Sequence, residues 1–428
     1  MPLPMVWRGN LNQSDELTCK SILFDFTDRR HTVEHQFDIQ AYGACPDGKT
    51  MNTAAIQAAI DACYEAGGGR VVCGPGDFLT GSLVLKSNVE LHLVSGCRLV
   101  GSTDLDDYEA FAADGFRAEN APENCIQSIV CAVRAENIAI TGPGEINGSG
   151  LAFYDTENMS GRFFSKPSTP RPRIVMFYEC RNVRLEDASF IDSPCWTCWL
   201  MKCDQVCIRG LRILGDQRMI NNDGIDLDCC RDVTVSDCII RTSDDCLVLR
   251  AIRRVFEEPM PCENVTITNC TLDSWCQGIR IGCPGDGVIR NATFSNLTIQ
   301  SENHGITIDN PHRYLRDEGR GTADVHDILF SNVRIECAGL PIQVRVEDGI
   351  ELIRLSDLSF SDFRIRSGGP CTVTGSPETT IRNVVFNNVQ IETTGEDAVH
   401  FRHCEGLRLT NVELSNLPEK TDEQGAVS

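Results

Sequence analysis

A six-residue pattern recurs along most of the chain: an apolar residue, a polar one, then Gly, Asn or Asp, two more residues and usually an apolar one. The instances are LEDASF, IRGLRI, VSDCII, ITNCTL, FSNLTI, FSNVRI, FSDFRI, FNNVQI and LTNVEL, with ITGPGEI one residue longer. Their third residues are Gly142, Asp187, Gly210, Asp237, Asn269, Asn296, Asn332, Asp362, Asn388 and Asn411. Each of these types tolerates a left-handed backbone. Each unit therefore reads as a short strand, a one-residue bend and another short strand. From Asp187 onward the intervals are 23, 27, 32, 27, 36, 30, 26 and 23 residues. The shortest is one bare turn, and the longer ones carry loops. No unit can bury its own apolar face, whereas stacked units bury a continuous core. The expectation is an all-β chain wound as a parallel β-helix. A β-propeller fits less well, because its blades need about 40 residues and four antiparallel strands each.

Helical spacing of apolar residues is concentrated in TAAIQAAIDACYEAGGG, residues 53–69. It predicts an amphipathic helix over about 53–66, ended by glycines, that caps the open N-terminal end of the solenoid. No linker interrupts the pattern, so one solenoid domain is expected over 37–418. An N-terminal extension, 1–36, precedes it and a polar tail, 419–428, follows.

Charge narrows the partners. With 61 Asp and Glu against 39 Lys and Arg, the 428-residue chain carries −22. That balance argues against nucleic acid and against anionic membrane surfaces. No run of about 18 apolar residues suggests a membrane span. The 23 cysteines are odd in number and scattered over strand positions. They read as free, buried, small apolar side chains, which favours a reducing compartment. The opening MPLPMVWRGN lacks a basic stretch followed by an apolar one, so a cytoplasmic location is expected. Nothing sets the oligomeric state; a monomer is plausible.

Candidate chemistry begins at RTSDDCLVLR, residues 241–250, where two carboxylates interrupt a strand-like run. Neighbouring side chains of a flat strand point to opposite faces, and an unpaired charge turned inward is costly. A bend at Asp244 and Asp245 lets both face one cleft. One coil earlier lies NNDGIDLD, residues 221–228, which places Asp223 21 residues before Asp244 and 22 before Asp245. Stacked in adjacent coils, the three acids are expected within about 10 Å. Like charges at that separation split their pKa values, as glycoside hydrolysis requires of its acid and base. Asp and Asn also serve β-helix bends, and clustered carboxylates also suit calcium.

NNDGIDLD followed one coil later by SDDC resembles the polygalacturonase family of glycoside hydrolases, family 28. Its hallmark is an Asn-Thr-Asp-Gly coil followed by a Gly-Asp-Asp coil. AYGACPDGKTMNTAAIQAAIDACYEAGGGRVVCGPGDFLTGSLVLKSNVELHL is similar to the opening of bacterial members. RPRIVMFYECRNVRLEDASFIDSPCWTCWL is similar to the coil before their cleft. The resemblance implies a right-handed parallel β-helix and inverting hydrolysis without metal or other cofactor. It implies Asp244 as general acid, Asp223 and Asp245 as the residues holding and activating water, and Asn221 as a hydrogen-bond partner of the cluster. Two positions depart. Members usually carry Gly-His-Gly in the next coil, where WCQGIRIG has Gln277, which cannot titrate. Members acting on polygalacturonate carry Arg-Ile-Lys, whose cations hold the substrate carboxylate, where HGITIDN has Thr307 and Asp309. Either the sugar there is neutral or amino-bearing, or the cation comes from elsewhere. Arg250 and Arg280 are the leading candidates, and Arg313 and Arg316 further ones. His304 reads as structural.

Trp196 and Trp275 are candidates to stack on a sugar, and Trp199 is as readily core. Cys195, Cys198, Cys203 and Cys207 invite a zinc reading, but they fall where the family has apolar strand residues. Three functions are weighed: an inverting glycosidase, a noncatalytic glycan-binding β-helix, and a lyase needing a base and calcium. The first is preferred because all three acids are present. The expected substrate is an oligosaccharide or polysaccharide of plant type. The long intervals between Asp237 and Asn332 are expected to wall off one end of the cleft, favouring attack from a chain end.

Overall fold

Short strands punctuated by single left-handed residues wind into a right-handed parallel β-helix, the hand that parallel crossovers nearly always take. The computed structural model describes residues 35–283, 285–312, 321–394 and 399–416. Residues 1–34 of the expected extension, the tail 419–428, and Arg313 and Arg316 lie outside the described residues. From His35 onward the chain forms one compact unit.

Two sheets make the walls. One has 11 parallel strands stacked in chain order, from Leu83–Val84 through Arg173–Tyr178, Ile225–Asp228 and Gln277–Gly282 to Val399–Arg402. The other has 22 strands and bends around the rest of each coil. Every pairing in both is parallel; the antiparallel pair Met159–Ser160 with Phe163–Phe164 lies outside them.

All ten predicted bend residues have positive φ, between 50° and 66° at nine and 94° at Gly142. The bends also stack. Asn411 Nδ2 donates to Asn388 Oδ1 at 2.9 Å, and Asn332 Nδ2 to Asn296 Oδ1 at 2.8 Å. A second column, which the repeat pattern does not reveal, runs five residues earlier: Asn137, Asn182, Gln205, Asp232, Asn264, Asn291, Asp327, Asp357 and Asn383, with φ between 51° and 56°. Its cue, a polar residue before an apolar one, is too common to be distinctive.

The interior is apolar. Phe294, Phe330, Phe360 and Phe386 stack through successive coils, with ring centroids 4.5, 5.3 and 5.0 Å apart. Such pairs contribute about 0.5–1.5 kcal/mol each beyond their burial. None of the 22 cysteines among the described residues is in a disulfide, and 17 are buried. The helix forms at Thr53–Glu65 and buries Ile56, Ala59, Ile60 and Cys63 against the first coil. Its Gln57 donates to Val84 O at 3.1 Å and accepts from Val84 N at 2.8 Å, covering the open edge of the 11-stranded sheet. No helix among the described residues is long and apolar enough to cross a membrane.

Candidate active site

Strands Ile225–Asp228, Leu247–Arg250, Gln277–Gly282 and His304–Asn310 lie side by side in the 11-stranded sheet. Their alternate residues Ile225, Leu227, Leu247, Leu249, Ile279, Ile281, Ile306 and Ile308 enter the core. The residues between them share the opposite face. In register, Asp226 pairs with Val248, Val248 with Arg280, and Arg280 with Thr307. Beside that column run Asp228 with Arg250, and Gly282 with Asp309 and Arg345. The sheet therefore presents a charged floor.

Asp223 and the Asp244–Asp245 pair lie in the turns that lead into two of these strands. The bend at the pair is tied down from three sides. Thr242 Oγ1 and Ser274 Oγ both donate to Asp244 O at 2.7 Å, and Ser243 N donates to Asn222 Oδ1 at 2.7 Å. Gly224 is needed here, since a Cβ would stand 2.3 Å from Cys246 O. With the chain bent at this point, both carboxylates leave the core, and Asp223, Asp244 and Asp245 line one cavity of about 440 Å³. Asn221 also lines it, and its Nδ2 donates to Asp244 Oδ2 at 3.4 Å.

One guanidinium organises the acids. Arg250 is 2% exposed. Its Nε donates to Asp226 Oδ1 at 2.7 Å, its Nη2 to Asp223 Oδ2 at 3.0 Å, and its Nη1 to Cys283 O. Asp245 Oδ2 lies 3.8 Å from the same Nη2. The Asp223 and Asp245 oxygens are thus at most 6.8 Å apart, the sum of the 3.0 and 3.8 Å legs. Burial pushes Asp223 well above the ordinary carboxylate range, and the charges of Asp244, Asp226 and Asp245 add to this against Arg250. Burial likewise pushes Asp245 up to about 8, with Arg280 and Arg250 opposing and Asp244 adding. Asp226 rises to about 6 and Asp228 to about 7, again chiefly through burial. The cavity therefore holds protons at neutral pH, shared among coupled carboxyls. Asp226 and Asp228 escaped the sequence reading, although the alternation in IDLD places both on the face opposite Ile225 and Leu227.

The neighbouring coil is built differently. Arg280, 7% exposed, lines the cavity and donates from Nη2 to Asp309 Oδ1 at 2.9 Å. Its Nη1 reaches Gln277 Oε1 at 3.3 Å and stands 3.9 Å from Asp245 Oδ2. Its buried Nε has no hydrogen-bond partner. Asp309, 3% exposed, also lies 3.6 Å from Arg345 Nη2. The acid that stands in place of the family lysine is thus the counter-ion of an arginine one strand earlier. Gln277 and Asp309 are buried beside the cavity rather than lining it. His304 accepts from Leu340 N at 3.3 Å, and burial holds its pKa below the usual imidazole value, in keeping with a structural role.

Two aromatic candidates are occupied by the protein. Trp196 lines the cavity, but the guanidiniums of Arg250 and Arg173 sit 4.1 and 4.8 Å from its ring centroid. Trp275 is covered by Phe163 at 5.8 Å and Arg162 at 5.1 Å. Trp199 is fully buried, with Nε1 donating to Asp228 Oδ2 at 3.2 Å.

One wall of the cavity is the segment from Glu119 to Asn124. It is anchored by buried Arg173, which donates to Pro122 O at 3.0 Å and Cys125 O at 3.1 Å. Asn120 Nδ2 donates to Arg254 O at 3.0 Å, joining this wall to the loop after Arg250. That loop belongs to the long interval singled out in the sequence. The stretch 110–127 carries no repeat signal, and its part in the cavity was not legible.

Among the described residues, ligand atoms of Asp244, Asp245 and Cys276 lie within 4.8 Å of one another. Calcium fits this set poorly, because a thiol is a soft ligand and the Arg250 and Arg280 guanidiniums already stand 3.8 and 3.9 Å from Asp245. Cys195, Cys198, Cys203 and Cys207 form no such group, so the zinc reading gains no geometry.

Residues 110–425 match glycosyl hydrolases family 28. An exopolygalacturonase of Zea mays is 23% identical over 401 residues, covering 90% of this chain and 85% of that one. A probable polygalacturonase of Arabidopsis thaliana is 28% identical over 225 residues, so the match spans 46% of this chain and about half, 47%, of that relative. The exopolygalacturonase of Thermotoga maritima superposes with a TM-score of 0.68 at 21% identity, over 89% of this chain and 92% of that one, a likeness of fold. With the family match spanning most of its length, the chain belongs to glycosyl hydrolase family 28.

Proposed function

We propose that this protein hydrolyses pectin-type oligosaccharides from a chain end, with inversion, and that its substrate carries a uronate. The observation that carries the reading is the convergence of Asp223, Asp244 and Asp245 on a cavity whose floor also presents Arg280. Asp244 serves as the acid. It is half-buried, and its carboxylate is met by Asn221 and, through Oδ1, by the Asp245 backbone N–H at 3.0 Å. Asp223 and Asp245, both beside Arg250, hold the water and take its proton. Hydrolysis by this route requires an ionised base among Asp223 and Asp245, and Arg250 and Arg280 oppose the burial that favours a proton there. Inverting pairs need roughly 6.5–9.5 Å between acid and base. Asp244 and Asp245 oxygens approach within 4.8 Å, closer than that range, so Asp223 rather than Asp245 suits the base opposite Asp244.

Arg280 supports a uronate in the sugar site because it supplies a cation from the strand before Asp309. A lyase is disfavoured: nearby Asp245 and Asp309 raise Arg280's pKa despite its burial, so it keeps its proton and is no base. The wall from Glu119 to Asn124 supports attack at a chain end, as do the relatives named exopolygalacturonases. The free thiols support action on oligosaccharides in a reducing compartment. The deciding experiment is turnover on a panel of galacturonate oligomers and neutral aryl glycosides, with Asp244→Asn as control and the product anomer read by NMR. Single-sugar release with inverted configuration is expected. No turnover on any member of the panel favours a noncatalytic glycan binder, and equal turnover by Asp244→Asn removes Asp244 from the role of acid.

A further inference from the structure

Arg250 lines the cavity and reads from sequence as a substrate-binding residue. We propose instead that Arg250 is a positioning residue: anchored on buried Asp226, it holds Asp223 in the water-activating geometry, and it does not hold the sugar. This rests on the hydrolase reading above. The geometry points this way because its donors are committed to the protein. Asp226, Asp223 and Cys283 O take Nε, Nη2 and Nη1. Its flat face lies on Trp196 at 4.1 Å, and 2% exposure leaves little of it for a ligand.

The surrounding charges explain why a cation is needed at this point. Asp223, Asp226 and Asp228 face it from the preceding coil, and Asp244 and Asp245 from its own. Arg280, Cys276 and Cys283 lie on the following coil, and Arg173 stands on the same Trp196 ring. Glu119 and Arg254 close the wall. The Asp223 Oδ1 and Asp245 Oδ1 atoms are buried without hydrogen-bond partners. Asp223 Oδ1 therefore keeps its acceptor capacity while Oδ2 is oriented by Arg250 at 3.0 Å, and Asp245 Oδ2 stands 3.8 Å from the same nitrogen. Burial opposes the charge of Arg250, but Asp226, Asp223 and Asp245 outweigh it and raise its pKa, so the cation persists at any working pH.

The test compares Arg250→Lys, Arg250→Met and the double variant Arg250→Met/Asp226→Asn with the native chain. The readouts are kcat and KM against pH on trigalacturonate, and ¹³C NMR titration of the aspartate carboxyls without substrate. Removing the cation should lower kcat by about 10²-fold and move the acid limb up by about 1–3 pH units. KM should stay within about threefold, as for a residue acting through others. Arg250→Lys should recover part of kcat and most of the pH shift. If Arg250→Met does not fold, the lysine and double variants decide. The proposal is overturned if KM rises by about tenfold or more while kcat and the acid limb hold, or if the carboxyl titration does not move. The NMR titration needs no turnover. If the native protein turns nothing over while the carboxyls shift, the hydrolase reading fails and only the hold of Arg250 on the carboxyls stands.

Discussion

Two adjacent parts of one cleft solve opposite electrostatic problems with the same residue types. Around Asp223, Asp226, Asp228, Asp244 and Asp245, five carboxyls crowd about one central guanidinium, Arg250. One strand on, Arg280 and Arg345 share a single buried carboxylate, Asp309, with Glu347 at the rim, 3.2 Å from Arg345. In the first part burial raises the pKa values of Asp223, Asp226, Asp228 and Asp245, with neighbouring carboxylates adding to the rise. In the second, each arginine has a carboxylate beside it, and Arg280 also lines the cavity. A residue's role here follows from the ratio of acids to cations within reach and from its burial, more than from its own type. Arg250 and Arg280 are both buried arginines, yet Arg250 is held by two carboxylates and a backbone carbonyl, whereas Arg280 pairs closely with Asp309 and leaves its Nε without a hydrogen-bond partner.

The largest effect expected is in the acid-rich part. Asp223→Asn and Asp244→Asn should each lower kcat by at least about 10²-fold, the usual worth of positioned proton transfer, measured on the substrate found in the panel above. Retention of activity in Asp244→Asn would move the acid elsewhere, with Asp309 the first place to look. The cation-rich part is sharpened next. Arg280→Met should raise KM for a galacturonate oligomer about 10- to 100-fold, the scale of a charge-assisted contact of about 1.5–3 kcal/mol, with little change for its methyl ester. Adding Asp309→Lys to Arg280→Met, which returns a cation to the family's usual place, should restore part of that loss. Asp309→Asn alone should act in the opposite direction to Arg280→Met, lowering KM for the galacturonate oligomer, because it frees the guanidinium.

A smaller effect distinguishes the two parts by stability. Asp245 has its folded pKa raised to about 8 against an ordinary 3.8. A raised carboxyl contributes stability that is present below the ordinary value and is lost as pH rises through the folded one. Asp245→Asn should therefore match the native chain near pH 4 and exceed it by about 1 kcal/mol or more by pH 8, one pKa unit being about 1.4 kcal/mol. Thermal melts across that range check it; a native advantage that grows with pH would contradict the raised pKa. Least sensitive should be the outer ladder. Asn388→Ala breaks the bond from Asn411 at 2.9 Å and strains a backbone at φ 54°, for a cost of about 1–2 kcal/mol by denaturant melts and no change in KM.

The sequence by itself determined the solenoid, its register and the capping helix. The bends at Asp187 through Asn411 are local events, each set by a residue that accepts positive φ, and stacking follows because a lone coil cannot bury its face. It also determined which coils carry the acids, since Asp223 and the Asp244–Asp245 pair are one turn apart. Tertiary structure decided the rest. Whether Arg250 meets sugar or carboxylates depends on Asp223 and Asp226, 27 and 24 residues away. Whether Asp309 disables an anion site depends on Arg280, 29 residues away. The wall from Glu119 to Asn124 reaches the cavity without any periodic signal. Strand period and bend propensity are short-range properties written in neighbouring residues. A pKa or a charge balance is a sum over everything within several ångströms in a poorly screened interior, and only the wound coil brings those groups together.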